Sequence, residues 1–130
     1  MSGFVDATDR AQVEAVLAAA VTALGPAGAL ASLAGIPELE VVQARPGGLF
    51  RKPTPATVEY GDQRLSVDAR GRASLHHVVG GIVLAQDSVA RTALPATLAA
   101  LVVRSVEASG ATDEVSVLLT ALRDAVAAAG

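Results

Sequence analysis

Apolar residues in this 130-residue chain recur with a helical period near both ends and alternate through the middle, and that double change of period constrains the fold more than any motif. Val13, Val16, Leu17, Ala20 and Leu24 keep the 3.6-residue spacing behind Thr8, a capping residue. They predict a helix over roughly 9–24 that Gly25-Pro26 stops. Alanine propensity predicts a second short helical piece over 27–34, ahead of Gly35.

Strand character begins at Leu39 and runs through 44, after which Arg45-Pro46-Gly47-Gly48 reads as a turn. Residues 57–60 and 64–68 alternate around the turn Gly61-Asp62-Gln63, with Val58, Tyr60, Leu65 and Val67 toward the core. Ala69-Arg70-Gly71 leads into a strand over 72–79, and Gly80-Gly81 supplies a two-residue hairpin before a strand over 82–86. Pro95 suits the first turn of a helix with the stripe Leu94, Leu98, Leu101, Val102 and Val106, ended by Gly110. Thr112, Asp113 and Glu114 open a last helix with the stripe Val115, Leu118, Leu119, Leu122 and Val126. We therefore expect a single α+β domain over 1–130, an antiparallel meander of four to five strands flanked by N- and C-terminal helices packed on one face.

Composition narrows the chemistry. Cysteine is absent, which removes thiol nucleophiles, cysteine-zinc sites and disulfides together. Aromatic residues are only 2%, so the core must be built from Leu, Val, Ile and Ala. A net charge of −3 gives no basic footprint for phosphate backbones, and no nucleic-acid partner is expected. The uncharged stretch 15–37 has the length of a membrane span, but it is mostly Ala and Gly and is broken by Gly25-Pro26. Asp6, Asp9 and Glu14 stand where a secretory signal would need positive charge, so the expected setting is the cytoplasm, with no membrane partner.

The two histidines, His76 and His77, are adjacent within a strand, so their imidazoles face opposite ways and no shared metal is expected. His77 falls on the side of Ala73, Leu75 and Val79. There it is either a core histidine bonded to a carbonyl, or an acid/base whose orienting partner is Asp68, Asp87 or Ser88. Gly80-Gly81 lacks the spacing of a dinucleotide or P-loop fingerprint, and no cofactor is expected.

Residues 45–55 gather Arg45, Arg51 and Lys52 around Leu49 and Phe50 in a Pro/Gly-rich context. Such a loop is either a connection whose Leu49 and Phe50 tuck under the sheet, or an apolar anchor ringed by positive charge for an acidic partner. The alanine-rich backs of the C-terminal helices (Ala96, Ala99, Ala100, Ala121, Ala125 and Ala128) offer a surface for close approach of a second subunit.

With alanine-rich terminal helices around a meander centred on His76-His77-Val78-Val79-Gly80-Gly81-Ile82, the whole chain resembles the small uncharacterised α+β proteins common in actinobacteria. The resemblance carries over no catalytic residue. A looser similarity to the architecture of bacterial secretion chaperones implies a binding role. The expected function is a non-enzymatic protein-binding or assembly module, homodimeric and chaperone-like, using the basic loop or an open sheet edge. The alternative is a small-ligand-binding protein or enzyme with His77 as acid/base.

Overall fold

Five antiparallel strands lie side by side in chain order, β1 (Glu40–Val42), β2 (Ala56–Tyr60), β3 (Gln63–Val67), β4 (Ala73–Val79) and β5 (Ile82–Val89). The computed structural model describes residues 3–129. Helix α1 (Arg10–Ala31) precedes the sheet; α2 (Leu94–Ser109) and α3 (Thr112–Ala129) follow it, after one 3-10 turn at Arg91–Ala93. The α+β class and the meander are those the two periods demand.

Register sorts the side chains into two faces. Val58 lies opposite Leu65, and Leu65 opposite Leu75; Ala56, Val67 and Ala73 form the next such row. These rows are the floor of the core, which α1, α2 and α3 close with Leu17, Leu30, Leu94, Leu98, Leu101 and Leu119, all fully buried. The opposite face carries Thr57, Ser66, Ser74 and Ser88 in one row and Glu59, Arg64, His76 and Gln86 in the next, the composition of a solvated antiparallel face. A slip of one residue in any pairing would exchange the two sets, so the core itself holds the register.

The helical cover is incomplete. Residues 82–88 of β5 are exposed, including Ile82, Val83 and Leu84. Gly80 and Gly81, both at positive φ, make the expected tight hairpin, but the pairing shifts between His77 and Val78 so that Leu84 is an extra residue in β5. Val79, expected in the core, is instead 50% exposed at the uncovered end of β4. β5 also runs three residues farther than the sequence pattern suggests, to Val89.

Two helix boundaries differ from expectation for local reasons. Asp9, not Thr8, caps α1: its carboxylate accepts from the N–H groups of Ala11 and Gln12, while the Thr8 hydroxyl donates to Asp6. Gly25-Pro26 kinks the helix without ending it, because Gly25 leaves helical geometry at φ 79 and ψ 167 and the chain resumes its turns to Ala31. By length and composition α1 could cross a membrane. Here its apolar residues Val13, Val16, Leu17, Ala20, Val21, Ala29 and Leu30 are buried in the core, the pattern of an interior helix.

The kink gives a test whose sign is informative. In a continuous helix, Gly25→Ala would stabilise by about 1 kcal/mol. At the observed φ and ψ, a region that is essentially glycine-only, the same change should destabilise by about 1–3 kcal/mol, although a Cβ there meets nothing within 4 Å. Urea unfolding of the variant distinguishes the two.

Candidate functional site

The segment between β1 and β2 is a β-ribbon. Glu40 lies opposite Glu59, Val42 opposite Thr57, Arg45 opposite Thr54 and Gly48 opposite Arg51, so all four pairs are nested about one centre between Leu49 and Phe50. The ribbon continues the β1–β2 hairpin with no residue gained or lost on either side. Arg45 and Thr54 exchange backbone hydrogen bonds of 3.0 and 2.9 Å, and Gly48 and Arg51 exchange bonds of 3.0 and 3.3 Å. The turn expected at Arg45-Pro46-Gly47-Gly48 is therefore one strand of this finger, and the reversal falls at Leu49-Phe50.

Its composition explains why it stands apart from the sheet. Pro46, Pro53 and Pro55 have no N–H to donate, which thins the ladder and discourages pairing with another strand. Gly47 allows a close approach of the two sides: a Cβ there would lie 3.0 Å from Pro53 Cδ and 3.2 Å from the Arg51 carbonyl oxygen. Residues 42–55 are all exposed, and at the tip Leu49 and Phe50 are 92% and 94% exposed. They do not tuck under the sheet. The finger brings together all five residues of the expected binding loop, Arg45, Leu49, Phe50, Arg51 and Lys52.

The surrounding charge is one-sided. The finger, the β3–β4 turn and the β5–α2 connection meet at one end of the sheet and supply Arg45, Arg51, Lys52, Arg70, Arg72 and Arg91, six of the chain's ten basic residues. Asp68 is the acidic residue in these segments. Its carboxylate accepts from the N–H groups of Arg70 and Arg72, both at 2.9 Å, and so closes the turn. The Arg72 hydrogen bond foremost, with that of Arg70 and the two guanidinium charges, holds the Asp68 carboxyl below the usual Asp range against opposing desolvation. Between finger and turn lies an apolar groove of about 610 Å³, walled by Pro46, Gly47, Pro53 and Pro55 and flanked by Arg45 and Arg70.

The histidines have partners other than those anticipated. His77 does lie on the face of Leu75, opposite Gln63 and Ala85, but beyond the helical cover, and its side chain is 42% exposed. It is not a core histidine. Its Nδ1 stands 3.4 Å from Asp62 Oδ2 in the β2–β3 turn, a turn further tied down by the Val78 N–H donating to the Asp62 carbonyl at 2.7 Å. Asp68 cannot serve it, because Asp68 hydrogen-bonds at the start of β4, about 13 Å away at the rise of a strand. Ser88 lies opposite Ser74 and so faces away, while Asp87 shares the face of His77 only at a diagonal position. On the other face, Ser66 Oγ and His76 Nε2 share a 3.1 Å hydrogen bond on an open sheet surface. Among the described residues no three His, Asp or Glu side chains form a metal-binding group.

Of the alanine surfaces, Ala99 of α2 is buried in the core, while Ala96 and Ala100 are half-buried. Ala121, Ala125 and Ala128 of α3 are exposed.

Two measurements check this geometry. His77→Ala should change stability by less than about 1 kcal/mol, as for an exposed ion pair, where loss of a buried hydrogen-bonded histidine would cost about 1–3 kcal/mol. Because the folded-state pKa of Asp68 is lowered, its contribution to stability is present above the unfolded pKa and is lost as pH falls through the folded value. An NMR titration of its carboxyl should accordingly have its midpoint below that of an ordinary Asp.

No curated protein and no solved structure matches the chain. A match over residues 5–126, which takes in the finger, all five strands, α1, α2 and most of α3, is to the family described as a domain of unknown function, DUF5073, and the chain belongs to that family.

Proposed function

We propose that this protein is a non-enzymatic protein-binding or assembly module of the bacterial cytoplasm, with the finger as its recognition element and an acidic protein surface as its target. The observation that carries the reading is the tip: two large apolar side chains, more than nine-tenths exposed, held forward on a ribbon that bears Arg45, Arg51 and Lys52. A leucine and a phenylalanine left in water forgo about 1.5–3 kcal/mol each, stabilisation that a partner restores by covering them. The cations then select for acidic surroundings and speed encounter.

The tip alone is too small for a lasting complex. Association costs about 4–15 kcal/mol in lost freedom, so the Arg45–Arg70 groove beside the ribbon must share the contact. A chaperone-like role, shielding an acidic apolar segment of another chain, fits this arrangement.

The test is a binding titration with an acidic, leucine-containing peptide, comparing wild type, Phe50→Ala and Arg51→Ala. Phe50→Ala should weaken binding about tenfold or more, with a melting temperature equal to that of wild type because the side chain is 94% exposed. Arg51→Ala should lose affinity mainly at low salt. Equal binding by all three proteins, or capture by anionic vesicles in place of the peptide, would overturn the proposal.

A further inference from the structure

A second apolar groove lies on the helical side of the molecule, and its rim has the opposite charge. The segment before α1 runs along α3, fixed by the Val5 N–H donating to Thr120 Oγ1 at 2.9 Å and the Ala7 N–H donating to Ser116 Oγ at 3.0 Å. Val5 and Ala7 are buried, which sets this wall of the groove firmly. Phe4 and Val117 stand open beside it, 75% and 57% exposed, and together with Asp6, Asp113 and Ser116 they bound a cleft of about 460 Å³. That volume is within the range of pockets that enclose a small ligand or a pair of side chains.

Charge at the lining is one-sided here too. The cleft carries Asp6 and Asp113 and no basic residue, with Asp9 and Glu114 in the same segments, 3–9 and 111–122, which are bounded in sequence by Arg10 and Arg123. The Thr8 hydroxyl and N–H both donate to the Asp6 carboxylate, at 2.7 and 2.9 Å, so that side chain is oriented at the rim.

We infer that this groove receives the finger of a second copy of the chain, Leu49 and Phe50 entering between Phe4 and Val117 while Arg45, Arg51 and Lys52 meet Asp6 and Asp113. The inference rests on the finger being a recognition element, and it names the partner. Complementarity supports it on two counts: an apolar tip faces an apolar cleft, and a cationic collar faces an anionic rim. The other groove, beside the finger itself, sets Arg45 and Arg70 against the single carboxylate of Asp68, so its positive balance disfavours a second cationic finger. The tip does not fill the acidic groove of its own chain, since both tip residues are exposed.

A contact between two different patches on one molecule joins copies head to tail, or closes on itself when two fingers exchange. A small interface of this kind is weak and sensitive to salt. Light scattering coupled to size exclusion should therefore give a mass that rises with protein concentration and falls as salt is added. Phe50→Asp removes the tip, and Val117→Lys places a positive charge in the groove. Each side chain is exposed, so each variant should melt like wild type and remain monomeric. Mixed in equal amounts, they should form a species of twice the monomer mass, because the intact finger of the second meets the intact groove of the first.

A wild-type mass that stays monomeric at the highest concentration overturns the inference, as does Val117→Lys assembling like wild type or failure of the mixture to pair. If the acidic peptide still binds wild type and loses affinity for Phe50→Asp while wild type stays monomeric, only this inference falls. If peptide binding is also indifferent to Phe50, the finger reading falls with it.

Discussion

Everything else in the molecule depends on one row of contacts, Val58 beside Leu65 beside Leu75, at the base of a single core that the leucines of the helices fill. With few aromatic side chains available, this core is filled by branched aliphatics and alanine, and the helices must approach closely to exclude water. Such a filling reaches only so far across a sheet. It covers β1 to β3 and the first part of β4, then ends, and β5 is left exposed. Tyr60, one of the three aromatic residues, marks the margin of the core, partly buried with the Arg104 guanidinium 5.6 Å from its ring centre.

The elements that burial dictates were legible in the sequence. Alternation at 57–60, 64–68 and 72–79 gives the strands and their inner faces, and the heptad-like stripes of α2 and α3 give the helices that cover them. What was not legible lay outside the core. Residues 45–48 carry every local mark of a turn, yet they form a strand because the pairing of β1 with β2 is extended outward in step. Local composition cannot report that, since the deciding interaction is with residues 51–54 across the ribbon.

The histidine partners are hidden in the sequence for a different reason. Once the β3–β4 turn is centred near Ala69-Arg70, Asp62 necessarily arrives beside Val78, next to His77, and Ser66 arrives diagonal to His76. Register across the turn determines both, whereas proximity along the chain favours Asp68 and Asp87. Alternation reports which face a residue is on and not how far the helices extend over that face, so it does not fix the burial of His77. In the binding loop the residue types were informative without the geometry, because three cations around Leu49 and Phe50 are unusual in an acidic chain whether or not the loop projects.

The nested pairing of the finger also restricts how its reach can change. Side chains alternate through the regular β1–β2 ladder, so inserting one cross-strand pair there would rotate Leu49 and Phe50 to the other side of the sheet. Inserting two pairs would restore their aim about 7 Å farther from the body. Lengths of this ribbon that keep the same aim are therefore discrete, and a lone insertion on one side would need a bulge to absorb it. The tip is set by parity as well as by chemistry: two proteins with the same Leu-Phe pair and the same cations, but ribbons differing by a single rung, would present that pair to opposite sides.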